Sequence, residues 1–160
     1  MKFYLKDILP KIERFSKRLD IESVLTKHKW IFIDERENIL PTYIFQNNGS
    51  LLISLNGNVT KAKWELVNFG NILIENNSNS YLYNFKFLDT DILILNKDRT
   101  DTFSIFVSNV LHQKGINNLS KIKKYLTGRY INTKTSLKNH SQPIYIKLSN
   151  KSKIEVTPFN

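Results

Sequence analysis

From Ser80 to Phe87 the chain reads SYLYNFKF, an alternation of aromatic residues with Leu, Asn and Lys. Successive side chains of a β-strand point to opposite faces, so all the aromatic residues of this segment share one face. That face carries Tyr81, Tyr83, Phe85 and Phe87, and the other carries Leu82, Asn84 and Lys86. The segment predicts a strand whose aromatic side chains point inward.

The same period of two continues from Trp30 to Ser108 and predicts a mainly β (α+β) fold. Asn-Gly pairs at Asn48-Gly49 and Asn56-Gly57 favour tight hairpins, because both residue types accept a positive φ. About eight strands should therefore form an antiparallel meander, closed into a barrel or a strongly curled sheet. The predicted strands are Trp30–Asp34, Thr42–Gln46, Ser50–Leu55, Val59–Leu66, Asn71–Glu75, Ser80–Phe87, Ile92–Asn96 and Thr102–Ser108.

An amphipathic helix is predicted before the strands, from a cap at Asp7 to about Asp20. Its apolar stripe consists of Ile8, Ile12, Phe15 and Leu19. Packing on the sheet is the favoured interpretation, and lying on a membrane surface is the alternative. Residues 21–25 are expected to add only a short turn that leads to Trp30, which is expected to plug one end of the barrel.

After the strands, Asn117 or Asn118 is expected to cap a short second helix that ends at Gly128. Its apolar stripe is Leu119, Ile122 and Leu126. Near the C-terminus, Ile144–Leu148 and Lys153–Val156 are expected to form a final hairpin. We predict one domain over residues 1–130, followed by a basic tail over residues 131–160.

Charge is concentrated in the last third of the chain. Residues 1–109 hold 14 Lys or Arg against 13 Asp or Glu, whereas residues 110–160 hold 10 Lys or Arg against Glu155 alone. This asymmetry is typical of a surface that contacts nucleic acid, anionic lipid or an acidic protein, and a solvated tail is the alternative. The candidate anion-binding residues are Lys121, Lys123, Lys124, Arg129, Lys134 and Lys138.

Chemical motifs are scarce in this chain, which favours a protein without a cofactor or a catalytic site. Cysteine is absent, and the three histidines, His28, His112 and His140, have no metal-binding spacing. The pair Asp89 and Asp91 falls in a predicted turn, where Asp side chains commonly accept backbone hydrogen bonds. A hydrolase built from dispersed loop carboxylates is kept as a third hypothesis.

Neither a secretory signal nor an apolar segment long enough to span a membrane is recognisable, so we expect a cytoplasmic protein without a membrane span.

One run carries a more specific pattern: an aromatic strand at Tyr43–Phe45, an Asn-Gly turn, a second strand, then Lys63-Trp64-Glu65 and a further strand at Ile72–Ile74. Over residues 42–96 the chain resembles small bacterial lipocalin-like β-barrel proteins. The resemblance implies a barrel, with ligand binding inside it as an analogy.

The aromatic residues Trp64, Tyr81, Tyr83 and Phe85 allow three interpretations: a packed core, the wall of an apolar pocket, or a base-stacking platform. Core packing is favoured, with Trp64, Tyr83 and Phe85 mostly buried and a cost of about 3–5 kcal/mol for Phe85→Ala. The leading functional hypothesis is a non-catalytic bacterial interaction module that presents its basic C-terminal surface to an acidic protein or nucleic acid. The alternative is a carrier or sensor that holds a small apolar ligand in the barrel.

Overall fold

A computed structural model describes residues 5–68 and 70–132 of the protein. Eight antiparallel strands, each hydrogen-bonded to its neighbours in chain order, form a closed barrel in which β8 pairs with β1. The strands are β1 (Trp30–Phe32), β2 (Thr42–Phe45), β3 (Ser50–Leu55), β4 (Asn58–Asn68), β5 (Asn71–Asn76), β6 (Asn79–Leu88), β7 (Ile92–Lys97) and β8 (Phe103–Ser108). The predicted fold class is confirmed, and each predicted strand has an observed counterpart whose limits agree within two residues.

Helical segments precede and follow the strands along the chain. They are α1 (Leu9–Ile12), a 3₁₀ turn (Glu13–Phe15), α2 (Ile21–Lys27), α3 (Asn109–Gln113), α4 (Leu119–Leu126) and a π-helical turn (Thr127–Asn132). The first compact unit ends at Ile122 and the second begins at Lys123. The division at residue 130 remains a prediction, and the predicted C-terminal hairpin lies outside the described residues.

The hairpin turns have the backbone geometry that their sequence predicts. Asn56 and Gly57 have φ angles of 51° and 85°. A positive φ at both central residues is what a type I′ turn requires, and its twist matches that of the two strands it joins. Gly49 is also left-handed, with φ at 88°, and its N–H donates to the Gln46 carbonyl at 3.1 Å.

The predicted helix from Asp7 to Asp20 is wrong in its extent. The chain leaves the helical conformation at Ser16, whose ψ is 138°. There the Ser16 hydroxyl accepts a hydrogen bond from the Leu88 N–H at 2.9 Å, and the Lys17 N–H donates to the Leu88 carbonyl at 2.6 Å. Hydrogen bonds to the end of β6 replace those of a continued helix. Leu19, predicted to lie on the buried stripe, is consequently 77% exposed.

Residues predicted to form a short turn instead make α2, which covers one end of the barrel. Ile21 and Leu25 belong to the same core cluster as Trp30, Phe45 and Trp64. The Trp30 indole N–H donates to the Leu25 carbonyl at 2.9 Å, so Trp30 closes this end as predicted. We call these five residues the closed end.

The second helix, α4, begins as predicted but does not end at Gly128. The Asn118 side chain caps it by accepting from the Lys121 N–H at 2.8 Å, and its apolar stripe of Leu119, Ile122 and Leu126 is buried. Gly128 does not adopt the left-handed conformation that ends many helices. The chain continues instead into the wider π-helical turn.

A bulge in β6 changes which side chains face the barrel interior. Phe85 pairs with Leu95 and Phe87 pairs with Ile94, which leaves Lys86 unpaired between them. Because one extra residue reverses the alternation, Phe85 faces inward while Phe87 faces outward. The prediction that Phe87 shares the inner face is therefore wrong, although Phe87 is fully buried on the outer side.

The outer surface of the barrel is also covered along β6 to β8. All residues of β7 from Ile92 to Asn96 are buried, so this strand is covered on both sides. The α1 helix and the 3₁₀ turn contact β6, and α3 contacts β8 and β1. Two cores result, one inside the barrel and one between these strands and the helical segments.

Candidate functional site

The end of the barrel opposite α2 has an inner wall that solvent reaches. At this end, seven inward-facing side chains are only partly buried, although their neighbours Ile74 and Phe106 are buried, whereas the side chains of the closed end are all buried. In a closed barrel, inward-facing groups gain exposure through an open end. The cup, as we name this region, consists of Phe32, Tyr43, Ile53, Tyr81, Tyr83, Phe85 and Lys97.

Strand register places the cup residues on the inner face. Tyr83 pairs with Ile72, and Tyr81 pairs with Ile74. Ile72 and Ile74 both belong to the barrel core. Tyr43 pairs with Ile53 across β2 and β3, and both side chains pack against that core. Directly opposed residues of adjacent strands point to the same side of a sheet, so these pairs line one wall.

Aromatic rings continue from the cup to the closed end. The ring centroids of Phe32 and Phe106 are 5.3 Å apart, and those of Tyr43 and Phe106 are 4.9 Å apart in an edge-on arrangement. Nearer the closed end, Phe45 meets Trp64 edge-on at 5.5 Å. Such pairs add to the stability gained by burying the rings.

Tyrosine hydroxyls give the cup its polar groups. Burial raises the pKa of both Tyr43 and Tyr83 above the ordinary value, and each pKa is raised further by a neighbouring tyrosine. For Tyr43 that neighbour is Tyr83, and for Tyr83 it is Tyr81. Within the described residues, the hydroxyls of these three tyrosines have no hydrogen-bond partner. They remain available as donors to a ligand or to water.

The one cation on the cup wall is Lys97, at the end of β7. It pairs with Tyr83 in the strand register, and its ammonium nitrogen lies 4.3 Å from the ring centroid of Tyr81. In the part of the chain that the structure describes, no carboxylate lies within 4.0 Å of this nitrogen. The cup thus combines aromatic walls, free phenol groups and one positive charge.

The four aromatic residues singled out from the sequence take two different positions. Trp64 is buried at the closed end as predicted, with its indole N–H donating to the Gln46 carbonyl at 2.9 Å. Tyr81, Tyr83 and Phe85 line the cup and are only partly buried. The expectation that Tyr83 and Phe85 are mostly buried is confirmed, since both pack against the barrel core, although part of each side chain stays accessible where the barrel opens.

Phe32, Tyr43 and Lys97 were not singled out from the sequence. The predicted strand Ile92–Asn96 ends one residue before Lys97, although the inward alternation of Leu93 and Leu95 extends to it. Continuing that alternation by one step would have identified it.

Of the predicted anion-binding residues, those that the structure describes lie on or after α4. Lys121, Lys124 and Arg129 are exposed and Lys123 is partly buried. The Arg129 guanidinium lies against the neighbouring Tyr130, with 5.7 Å from its carbon to the ring centroid. Lys134 and Lys138 lie outside the described residues.

A second group of cations surrounds a cleft beside the start of α2. Arg14, Lys17, Arg18 and Lys27 line this cleft of about 570 Å³, together with the single carboxylate of Asp20. The first three fall within the predicted helix Asp7–Asp20. Because the observed helical segment breaks at Ser16, they lie around one cleft with Lys27 of the following helix.

Carboxylates in the described residues mostly hold turns together. One oxygen of Asp89 accepts from the N–H groups of Asp91 and Ile92 at 2.8 and 2.7 Å, the role expected of Asp in a turn. Arg36 hydrogen-bonds to Asp34, which lowers the pKa of that carboxyl below its ordinary value. No group of three or more His, Asp or Glu side chains suited to a metal ion occurs among residues 5–68 and 70–132.

No protein-family model matches this chain, and no curated protein matches it either. The eight-stranded antiparallel barrel is compatible with the lipocalin-like resemblance, which therefore concerns architecture alone. In the described part of the chain, no helix is long and apolar enough to cross a membrane.

Proposed function

We propose that this protein is a non-catalytic binding protein that holds a small apolar ligand in the cup. The observation that carries the proposal is the unequal burial of the inner wall, which is sealed by α2 at one end and accessible at the other. Small-molecule sites are usually concave and lined by apolar and aromatic groups with a few polar ones. The cup has this composition, and a bound apolar molecule would remove its partly exposed rings from water.

Ligand binding inside the barrel, which the sequence suggested only as the alternative to a basic interaction surface, thus becomes the leading hypothesis. Filling the cup would bury Phe32, Ile53 and Phe85 further, and each Å² of apolar surface removed from water contributes about 25 cal/mol. A wall whose side chains are already held by packing against the core also loses little conformational entropy on binding. Both effects favour a ligand bound between the strands rather than at the outer surface.

Titration with phenylnaphthylamine, a neutral apolar dye that fluoresces when it leaves water, tests the proposal. We expect saturable binding at one site, abolished by Ile53→Trp, which fills the cup. Leu52→Trp is the matched control, because Leu52 is the neighbouring residue of β3 and faces outward. Equal loss in both variants, or no saturable binding by the parent protein, would contradict the proposal.

A second candidate function is binding of a polyanion, either nucleic acid or an acidic protein, by the basic C-terminal third. It is supported by the 10 Lys or Arg against one acidic residue after residue 109 and by the exposure of Lys121, Lys124 and Arg129. Binding of this type weakens steeply with salt, because each neutralised phosphate releases condensed counterions.

Labelled single- and double-stranded oligonucleotides, titrated at several salt concentrations, test this second candidate for nucleic acid. We compare the full chain with one truncated after Asn132, which lacks Lys134 and Lys138. Salt-sensitive binding that truncation weakens is the expected result. Binding that truncation leaves unchanged would place the site on α4, whose lysines the truncated chain keeps, or on the barrel. No binding at low salt would eliminate nucleic acid as the partner.

A further inference from the structure

We propose that the cup selects an anionic ligand, an apolar body carrying one carboxylate or sulfonate group, with Lys97 as the residue that pairs with the acid. This inference rests on the proposed function and adds the chemical class of the ligand. The observation behind it is that the one cation on the inner wall has no carboxylate partner within the described residues.

The position of Lys97 is set by the strand register. Leu93, Leu95 and Lys97 alternate along the inner face of β7, and Lys97 lies at the open end. The residue is partly buried, and its ammonium group lies against the Tyr81 ring. A charge in such a place gains more from an ionic partner than a charge on the outer surface does, because less of the interaction is screened by water.

The contact between Lys97 and Tyr81 satisfies this charge only in part. An ammonium group 4.3 Å from a ring centroid is attracted to the face of the ring, and such a contact contributes modestly at a partly exposed site. A lysine ammonium has three donors, and the aromatic face occupies one side of it. The other sides remain free to donate to an acidic ligand that enters through the open end.

Three tyrosines of the cup complete the arrangement: Tyr81 and Tyr83 lie beside Lys97, and Tyr43 is the electrostatic neighbour of Tyr83. The hydroxyls of Tyr43, Tyr81 and Tyr83 have no hydrogen-bond partner among the described residues, and burial keeps Tyr43 and Tyr83 protonated. Protonated phenols donate hydrogen bonds to an acid oxygen, and bonds to charged groups are stronger than those between neutral ones. The wall therefore offers the Lys97 ammonium and the tyrosine hydroxyls as donors to the acidic group of a ligand, and apolar rings as contacts for its apolar part.

The adjacent acidic residue does not neutralise the site. Asp98, the next residue, accepts a hydrogen bond from the outward-facing Asn84 at 3.3 Å, and the Arg99 nitrogen lies 3.9 Å from its carboxylate. The Asp98 carboxylate thus has contacts of its own, and no described carboxylate lies within 4.0 Å of the Lys97 ammonium nitrogen.

Two dyes of nearly the same shape provide the test. Anilinonaphthalene sulfonate carries an anionic group, and phenylnaphthylamine has the same ring framework without it. We expect the parent protein to bind the anionic dye more tightly, and Lys97→Met to weaken that dye about tenfold, which is ~1.4 kcal/mol, while the neutral dye changes less than about twofold. The matched control is Lys61→Met, which removes a lysine from the outer face of β4.

The outcomes separate this inference from the function on which it rests. If both dyes bind but Lys97→Met weakens them equally, or weakens neither, the cup binds ligands without selecting anions and the inference is overturned. If Lys61→Met has the same effect as Lys97→Met, overall charge rather than the cup is responsible, and the inference is again overturned. If neither dye binds the parent protein at a saturable site, the proposed function fails as well.

Discussion

The two ends of the barrel differ in the hydrogen bonding of their tryptophan and tyrosine side chains. At the closed end, the indole N–H of Trp30 donates to Leu25 and that of Trp64 donates to Gln46, each at 2.9 Å, and both side chains are buried. At the open end, Tyr43 and Tyr83 are partly buried, and no described residue accepts or donates a hydrogen bond at their hydroxyls. At the closed end the polar atoms of the tryptophans are hydrogen-bonded within the core, whereas at the open end the tyrosine hydroxyls have no partner among the described residues.

This difference separates stability from function. Buried polar groups in a folded protein are nearly always hydrogen-bonded, and groups left without partners in a concave site are those available to a ligand. Substitutions at the closed end should therefore affect mainly the free energy of unfolding. Substitutions in the cup should affect mainly ligand binding.

The largest expected effect is the loss of a ring from the closed end. Phe45→Ala should lower the free energy of unfolding by about 3–5 kcal/mol, whereas Phe85→Ala in the cup should lower it by about 1–2 kcal/mol, less than the sequence alone predicts for that variant. The reason is that Phe45 is 2% exposed, while Phe85 is only partly buried and its space can fill with water. Denaturant unfolding of both variants measures the difference, and equal losses would contradict the contrast between the two ends.

A smaller effect is expected when only the polar atom is removed. Trp30→Phe leaves the Leu25 carbonyl without its donor and also removes ring volume, so a loss of about 2–3 kcal/mol is expected. Tyr83→Phe removes a hydroxyl that has no protein partner and should change stability by less than about 0.5 kcal/mol. Thermal and denaturant unfolding of these two variants form a matched comparison. A large loss for Tyr83→Phe would reveal that its hydroxyl stabilises the fold.

The smallest expected effect is a dependence of stability on alkaline pH. The raised pKa values of Tyr43 and Tyr83 favour the neutral phenol in the folded state. Their contribution to stability is complete below the unfolded pKa of about 10 and is lost as the pH rises through the higher folded pKa. Tyrosinate absorbance should show these residues ionising after the exposed tyrosines, and Tyr43→Phe should flatten the decline. A titration in which all seven tyrosines ionise together would contradict this expectation.

Alternation predicted the strands well because the buried face of each strand must follow a period of two. The pattern from Trp30 to Ser108 therefore predicted eight strands that close into a barrel. It failed where one residue breaks the period: the bulge at Lys86 moves Phe87 to the outer face, which no residue type in that segment signals.

Contacts between distant parts of the chain account for the other errors. Ser16 ends the N-terminal helix because of its hydrogen bond to Leu88, a residue 72 positions later. Local periodicity cannot include such a bond, so one helix was predicted from Asp7 to Asp20. The cup was predictable only in part, since composition indicates which residues are apolar but not which end of a barrel a helix covers. Whether Tyr83 and Phe85 are core or wall is decided by the position of α2.

The most direct test of the account is to locate bound phenylnaphthylamine by proton–nitrogen NMR of the labelled protein. The chain has two tryptophans, and both indole N–H groups belong to the closed end. We predict that the dye shifts the backbone amide signals of Tyr43, Tyr83 and Lys97 and leaves the two indole signals in place. Shifts concentrated on the indole signals and on α2, with the amides of the cup unmoved, would contradict the claim that the open end is the ligand site.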